Sequence, residues 1–347
     1  MTPINTAMLS FGMSGKLFHA PFLHVHEGFR LYGVWERSKN MAEAIYPDIR
    51  TFRTLDKVLA DDAVELVIVN TPNATHYEYA KMALQAGKHV VVEKPFVITE
   101  VEGLELEALA AAKELVLSPF QNRRWDSDFL TVQQVVEQKL LGEIVEAEFH
   151  FDRFKEDLSP KAHKETPGPG TGALYDLGAH IIDQALVLFG MPEAVFADIR
   201  IIRPVSQVDD YFEVLLYYPG LRVRLHSSYL VKETVPSYIL HGSKGSFLKS
   251  RADVQERHLQ QGLKPDSTNW GSEPDTERGL LHINSNGKDL REFTPTLPGN
   301  YMHYFDGMYH AIREKRTPSV TARHGIDIIR IIDAAFQSSR DGCVIQL

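Results

Sequence analysis

The sequence has a single cysteine, Cys343, in 347 residues. A lone cysteine excludes a disulfide within the chain, and a cysteine-poor composition is typical of proteins in reducing compartments. Long apolar runs are also lacking: the first residues show no basic segment followed by an apolar core, and no run approaches the roughly 18 residues of a membrane-spanning helix. We therefore expect a cytoplasmic protein that does not contact a membrane.

Positive charge is scarce as well. The chain carries 37 Lys and Arg against 46 Asp and Glu, a formal net charge of −9, and it has no basic run, so a nucleic-acid surface is not expected. Its hydrophobic content of 44% is that of a globular protein. The length exceeds that of one ordinary core and predicts two domains.

Apolar runs alternate with helical segments over the first third of the chain. Segments 74–86 and 104–115 have helical patterns, and Gly87 is suited to end the first of them in the left-handed conformation. This alternation predicts an α/β domain over residues 1–121, with a doubly wound parallel sheet. The predicted strands are 6–10, 29–35, 64–69, 89–92 and 116–120.

The pattern changes after residue 121. Segments 146–151, 211–218 and 221–226 alternate polar and apolar residues, as antiparallel strands with one open face do. Residues 251–300 are rich in Gly, Pro, Asp, Ser and Thr and are expected to be irregular, while 322–339 predicts a long helix. Residues 122–347 are therefore expected to form an α+β domain.

One strand ends in a charged segment. Val90, Val91 and Val92 predict a strand buried on both faces, and Glu93-Lys94-Pro95 follows at once. Open α/β sheets bind ligands beyond the carboxyl ends of their strands, and a half-shielded lysine there can have a pKa lowered toward neutrality, which suits acid–base chemistry. The alternative is a surface lysine with no role in a site.

A glycine turn follows the first predicted strand. Gly12, Met13, Ser14 and Gly15 lie between this strand and a helix start, where backbone amides can approach a pyrophosphate. Ser10 occupies the place of the first glycine of a G-x-G-x-x-G fingerprint. The segment is therefore either a dinucleotide site or an ordinary strand–helix turn.

The second strand ends at Trp35 and is followed by Glu36-Arg37-Ser38. Glu36 follows Gly15 by 21 positions, close to the roughly 20 expected for the acid that binds the adenosine ribose. Arg37 and Ser38 could instead hold a 2′-phosphate. The sequence is therefore compatible with either NAD or NADP as the cofactor, with NADP favoured. The alternative is a charged loop that binds no ligand.

A helix over 174–190 has an unusual polar face. Asp176, His180 and Asp183 fall at i, i+4 and i+7 and share one side. An Asp one turn before a His can orient the imidazole of a general base; a solvated face or a satisfied core histidine is the alternative. No metal site is expected there, because a third clear ligand is lacking and Cys343 is remote.

A further set of motifs runs through the chain: Thr71-Pro72-Asn73-Ala74-Thr75-His76, Ala80, Ala83-Leu84, 86–90 and Glu93-Lys94-Pro95, with support from 12–21, 122–126, 172–183 and 242–246. Together these motifs resemble those of the Gfo/Idh/MocA oxidoreductases. Within that family the sequence is most similar to the NADP-dependent scyllo-inositol dehydrogenases, on the segments 123–131 and 175–184.

The resemblance implies a Rossmann domain and a substrate domain built on a large, mostly antiparallel sheet, assembled as homodimers or homotetramers through that sheet. The C-terminal helix would pack back on the first domain. Lys94 and His180 would act on the substrate hydroxyl with support from Asp176. Besides Gly12–Gly15 and Glu36–Ser38, the residues expected around the cofactor are Trp35, Thr71, Pro72, Asn73, His76, Glu93 and Lys94. Those proposed for the substrate pocket are Arg124, Trp125, Arg153, Tyr175 and Trp270.

The sequence therefore predicts an NAD(P)-dependent dehydrogenase that transfers a hydride between nicotinamide and a secondary hydroxyl or ketone of an inositol-type polyol or a sugar. Two alternatives stay open: an aldose or other sugar dehydrogenase of the same family, and a regulatory protein that binds NAD(P) without catalysis.

Overall fold

The structure is a computed structural model that describes residues 2–160, 162–285 and 287–347. The predicted domains include Met1, Lys161 and Asn286, which lie outside these residues. The strands are β1 (Ile4–Met8), β2 (Phe29–Trp35), β3 (Arg50–Phe52), β4 (Leu66–Val69), β5 (His89–Val92), β6 (Leu117–Pro119), β7 (Ile144–His150), β8 (Ala194–Arg200), β9 (Tyr211–Tyr218), β10 (Leu221–Ser228), β11 (Tyr238–Gly242), β12 (Gly245–Lys249), β13 (Gly279–Ser285), β14 (Lys288–Thr294) and β15 (Ile345–Gln346). The helices are α1 (Ala20–Val25), α2 (Leu55–Leu59), α3 (His76–Gln85), α4 (Glu100–Ala112), α5 (Ser127–Glu137), α6 (Ala162–Glu165), α7 (Ala179–Phe189), α8 (Val254–Gln260), α9 (Met302–Glu314) and α10 (Ala322–Asp341).

The first sheet has six parallel strands in the order β3-β2-β1-β4-β5-β6. Its central strands are apolar on both faces, and Val90, Val91 and Val92 are at most 1% exposed. The strand order reverses between β1 and β4, the place where doubly wound sheets leave a crevice for a ligand. The predicted α/β architecture is confirmed.

The second sheet has nine strands in the order β14-β13-β12-β11-β7-β10-β9-β8-β15. Its neighbours pair antiparallel except β7 and β10, which are parallel. In β9 the side chains of Phe212, Val214 and Leu216 are fully buried while the residues between them are half-buried, as the alternating pattern predicted. The mostly antiparallel sheet is confirmed.

The expectation of irregular structure over 251–300 was wrong. This segment contains α8 and the β13–β14 hairpin. β14 is the edge strand of its sheet and is exposed along nearly its whole length. Its sequence, Lys-Asp-Leu-Arg-Glu-Phe-Thr, therefore lacks the apolar alternation on which the strand prediction depended.

The chain forms two compact units. Met1–Asn122, Gln255–Trp270 and Asn300–Ile326 form the first unit, and Arg123–Val254, Gly271–Gly299 and Asp327–Leu347 form the second. The proposed domain boundary after residue 121 and the packing of the C-terminal helix stay predictions. Among the described residues, no helix is both long and apolar enough to cross a bilayer.

A π-helical turn directly precedes each of two α-helices. Gly15–His19 precedes α1, and Leu174–Gly178 precedes α7. The sequence predicted one regular helix over 174–190. A single π-helical turn does not change the spacing of apolar residues enough to be recognised in the sequence. Such turns occur often at functional sites, and both lie in segments proposed to carry function.

Gly15 has room for no side chain. A Cβ atom there would lie 2.5 Å from the carbonyl oxygen of Ser10 and 2.9 Å from Nδ2 of Asn70. At Gly12 the nearest atom, Oγ of Ser10, would lie at an ordinary 3.4 Å. A methyl side chain is therefore expected to fit at position 12 but not at position 15.

We expect Gly15→Ala to lower the free energy of unfolding by about 1–3 kcal/mol, the usual effect of overpacking. The matched variant Gly12→Ala should stay within about 0.5 kcal/mol of the parent. Urea unfolding of the cofactor-free protein measures both, and equal losses in the two variants would contradict the difference in packing.

Candidate active site

A cavity of about 890 Å³ lies at the carboxyl ends of β1, β2 and β4. This volume is within the range of cofactor pockets. Eight of the predicted cofactor residues line it: Gly12, Met13, Trp35, Glu36, Arg37, Ser38, Thr71 and Pro72. The remaining cofactor predictions, which are not part of its lining, are Ser14, Gly15, Asn73, His76, Glu93 and Lys94.

The loop after β2 is held by two side chains. The carboxylate of Glu36 accepts hydrogen bonds from the backbone amides of Met41 (3.2 Å) and Ala42 (3.0 Å). Arg53 donates to the carbonyl oxygens of Glu36 (2.9 Å) and Lys39 (2.7 Å). Both carboxylate oxygens of Glu36 therefore bind the loop itself, and the residue's proposed role toward the ribose stays a prediction.

The loops after β1 and β4 are tied to each other. Nδ2 of Asn70 donates to the carbonyl oxygen of Ser10 at 2.9 Å. Ser14 precedes the π-helical turn Gly15–His19, and Asn73 begins the short helical turn Asn73–Thr75. The hydrogen bond between Asn70 and Ser10 therefore joins two loops that line the cavity.

Glu93 follows β5 and is paired with a histidine. Its Oε1 lies 2.8 Å from Nε2 of His19, whose side chain is fully buried. Burial acts to raise the pKa of Glu93, but the hydrogen bond from His19 and the positive charge of Lys94 outweigh it, so the pKa lies below its usual value. Glu93 is thus an anion next to Lys94.

His76 is 1% exposed and contacts two loops. Its Nδ1 lies 2.8 Å from the carbonyl oxygen of Pro95, and its Nε2 lies 2.9 Å from that of Thr71. Burial lowers the pKa of His76 more than these oxygens raise it. The ring is therefore neutral at pH 7 and donates to one carbonyl at a time, joining the segments after β4 and β5.

Lys94 is half-buried at the end of β5. Its backbone amide donates to Oε2 of Glu93 at 3.2 Å, and the Lys94–Pro95 peptide bond is cis. The positive charge of Lys94 lies close enough to lower the pKa values of both Glu93 and His76. Its lowered pKa and its role toward a substrate stay predictions.

In the second unit His180 lies on α7 and is 6% exposed. Its ring centroid is 6.2 Å from that of Phe151. Asp176 is in the π-helical turn before α7, and its carboxylate accepts from Nζ of Lys164 at 2.8 and 2.9 Å. The turn departs from the regular α-helical spacing on which the Asp176–His180 prediction was based.

Arg124 and Asp183 form a two-pronged ion pair. Nε of Arg124 lies 2.8 Å from Oδ2 of Asp183, and Nη2 lies 2.6 Å from Oδ1. Asp183 is only 2% exposed, so the third residue of the predicted polar face is buried and its charge is compensated by Arg124. Arg124 and the adjacent half-buried Trp125 belong to the helical turn Asn122–Trp125.

The other proposed substrate residues are in different surroundings. The guanidinium carbon of Arg153 lies 4.5 Å from the ring centroid of Phe151, the ring that is also close to His180. Tyr175 stacks on Phe336 at 5.7 Å. Trp270 belongs to the first unit, where its Nε1 donates to Gln255 and its ring contacts Phe22. Their substrate roles stay predictions.

Four residues near the predicted site were not predicted from the sequence. Lys16, Lys39 and Tyr79 line the cavity, and His19 pairs with Glu93. Two of them have a signal in the sequence: Lys39 follows Arg37 by two residues in the same loop, and Tyr79 lies one helical turn after Thr75.

The lining of the cavity suits a phosphate-bearing dinucleotide. Three cations, Lys16, Arg37 and Lys39, line it, and Glu36 is the acid among the lining residues. Because both oxygens of Glu36 already accept backbone hydrogen bonds, the field in the cavity favours an anion. Phe11 and Tyr79 add aromatic surface for a base.

Comparison with known proteins agrees with this reading. Residues 4–121 match the oxidoreductase family, NAD-binding Rossmann fold, and residues 133–347 match the oxidoreductase family, C-terminal alpha/beta domain, both of Gfo/Idh/MocA. The chain is 37% identical over 344 residues to the scyllo-inositol 2-dehydrogenase (NADP(+)) IolW of Bacillus subtilis, covering 99% of this chain and 96% of that protein.

Two crystal structures have the same fold over nearly the whole chain. A protein from Bacteroides fragilis is 43% identical with a TM-score of 0.92 and full coverage of both chains. An oxidoreductase from Bacillus cereus is 34% identical with a TM-score of 0.92, covering 99% of this chain and 98% of that one. The predicted family, an NAD(P)-dependent dehydrogenase class and an NAD(P) cofactor are thereby confirmed. The chain belongs to the Gfo/Idh/MocA oxidoreductase family.

Proposed function

We propose that the protein oxidises a secondary hydroxyl of an inositol-type polyol, or reduces the matching ketone, with NADP as the favoured cofactor. The observation that carries the proposal is the cationic cavity at the carboxyl ends of β1, β2 and β4, in the same unit as the fixed segment Glu93-Lys94-Pro95. The similarity to IolW, named for scyllo-inositol, supports the polyol class.

When bound, the nicotinamide supplies the hydride chemistry. The chain has to position the substrate and move one proton. His180 accepts the hydroxyl proton at a ring nitrogen, with Asp176 supporting the protonated ring, and the buried position of His180 limits competition from water. Lys94 donates a hydrogen bond to the substrate oxygen and stabilises the negative charge that develops there.

The cofactor preference follows from the loop after β2. An acid that binds the ribose hydroxyls would favour NAD, but the carboxylate of Glu36 is occupied by backbone amides. Arg37 and Ser38 line the cavity beside it, together with Lys39. A guanidinium, a hydroxyl and an ammonium are suited to a 2′-phosphate, which favours NADP.

Residues 1–121 would then bind the cofactor and 122–347 the substrate. We also infer that the protein forms homodimers or homotetramers through the open face of the second sheet. In β9 this face carries Tyr211, Glu213, Leu215 and Tyr217, half-buried side chains of mixed polarity of the kind found at interfaces between subunits.

The substrate class is tested with purified protein, NADP and a panel of inositols and aldoses. We expect reduction of NADP with a cyclic polyol, at a higher kcat/KM than with any aldose, measured by the absorbance of reduced nicotinamide. Faster turnover of an aldose would favour the sugar-dehydrogenase alternative. Tight NADP binding without turnover in either direction would favour the regulatory alternative.

Replacing Lys94 by Ala tests the site. Loss of the hydrogen bond to the substrate oxygen should lower kcat by roughly 10²- to 10⁴-fold, while the Kd for NADP stays nearly unchanged because Lys94 does not line the cavity. Lys113, exposed and in the same unit, provides the control Lys113→Ala, which should keep full activity. Near-normal turnover in Lys94→Ala would refute the assignment.

Arg37→Ala tests the cofactor preference. Removing a guanidinium from a 2′-phosphate should weaken NADP binding by roughly 10- to 100-fold, in line with ~1.5–3 kcal/mol for a hydrogen bond to a charged group. NAD binding should change little, so the comparison of the two Kd values by calorimetry is decisive. The exposed Arg30 of β2 serves as the control in Arg30→Ala, and a parallel loss of NAD affinity in Arg37→Ala would contradict the proposal.

A further inference from the structure

Three metal-ligating side chains meet on the open face of the second sheet, at the ends of β7 and β10. One ligand atom each from His150, Asp152 and His226 lie within 4.8 Å of one another. Their side chains are 12%, 3% and 19% exposed. None of them is part of the proposed reaction.

The hydrogen bonds of His150 fix its tautomer. Its Nε2 lies 3.1 Å from Oε2 of Glu148. Because a carboxylate only accepts, this nitrogen carries the proton, and Nδ1 of a neutral ring has a lone pair. Nδ1 is buried with no hydrogen-bond partner among the described residues, and it lies 3.4 Å from Oδ2 of Asp152. A cation that lies between these two atoms, either a proton or a metal ion, would bridge them.

The second histidine completes the group. Nδ1 of His226 donates to Oδ1 of Asp152 at 3.0 Å, and a metal ion bound there would take the place of this proton. Adjacent ligand atoms about 2.1 Å from one ion are about 3–3.4 Å apart. The two N···O distances, 3.0 Å to Oδ1 and 3.4 Å to Oδ2 of Asp152, fall in this range.

The backbone holds these ligands in place without an ion. β7 and β10 pair in parallel with His226 opposite His150. The amide of Phe151 donates to the carbonyl oxygen of His226 at 2.9 Å, and the amide of Ser228 donates to Oδ1 of Asp152 at 3.0 Å. An ion would therefore meet side chains that are already positioned, which reduces the entropy lost on binding.

We propose that His150, Asp152 and His226 form a binding site for a divalent transition-metal ion of the zinc type. Two imidazoles and one carboxylate are ligands that zinc accepts and that Mg²⁺ and Ca²⁺ do not favour. Glu148 orients His150 through its other ring nitrogen, as second carboxylates do in many zinc sites.

The surrounding charge also attracts a dication. Arg224 bridges Glu148 and Glu213 at 3.0 Å each. With Asp152, these side chains sum to a charge of −2 when the acids are ionised. The sequence predicted no metal site, so this group of ligands is a departure from that expectation.

The test uses the full chain after dialysis against a chelator, titrated with ZnSO₄ by calorimetry at pH 7.5. We expect one zinc per chain, with Mg²⁺ failing to compete. Asp152→Asn and His226→Gln should each weaken zinc binding at least 10-fold, and Glu148→Gln by about 10- to 100-fold, the range for an orienting partner. Bound Co²⁺ should show visible d–d absorption that these variants reduce.

The matched control is His282→Ala. His282 lies in the same sheet with its Nε2 3.0 Å from the carboxylate of Asp289, but this pair is not part of a three-ligand group among the described residues. Zinc affinity should be unchanged in this variant. Circular dichroism checks the folding of each variant. If His226→Gln does not fold, the zinc titrations of Asp152→Asn and Glu148→Gln test the proposal.

The proposal is overturned if the parent protein binds no zinc, which would leave a proton as the cation between His150 and Asp152. It is also overturned if the folded Asp152→Asn and Glu148→Gln variants bind zinc as tightly as the parent.

Discussion

The site in the first unit depends on one buried ring. His76 contacts the carbonyl oxygens of Thr71 and Pro95, so the segments that follow β4 and β5 cannot move apart without leaving a buried polar group unsatisfied, at a cost of roughly 1–3 kcal/mol. Thr71 lines the cofactor cavity and Pro95 follows Lys94. The same contact therefore sets the position of a cavity wall and the position of the proposed catalytic lysine.

The architecture was predictable wherever the burial of a strand produces a recognisable pattern of apolar residues in the sequence. Val90–Val92 could only be a strand buried on both faces, and the alternation in β9 could only be a strand with one open face. β14 shows the limit of this reasoning. At the edge of its sheet it buries almost nothing, so its pairing with β13 depends on backbone hydrogen bonds that the side chains do not indicate.

The site was predictable in its composition but not in its detail. Gly12, Arg37 and Ser38 were found from their spacing and Thr71 from the family resemblance, and all four line the cavity. The spacing could not show that Glu36 binds the backbone of its own loop, because a carboxylate has the same place in the sequence whether it faces a ribose or an amide. The partners of Glu93 and Asp183, His19 and Arg124, are 74 and 59 residues away, distances over which local patterns carry no information.

A carboxylate that accepts from Nε2 of a histidine recurs in this protein with different consequences. At His19 the partner is Glu93, and the ring packs against Phe120 at 4.3 Å and near Phe305. Nδ1 of His19 is buried without a hydrogen-bond partner among the described residues, but it belongs to a ring that packs on aromatic neighbours, so the cost is limited to lost solvation. At His150 the corresponding nitrogen faces the carboxylate of Asp152, a group with which it can share a cation. Both histidines have Nε2 paired with a glutamate. Only the group that faces Nδ1 differs, and this group therefore decides whether the histidine can bind a cation.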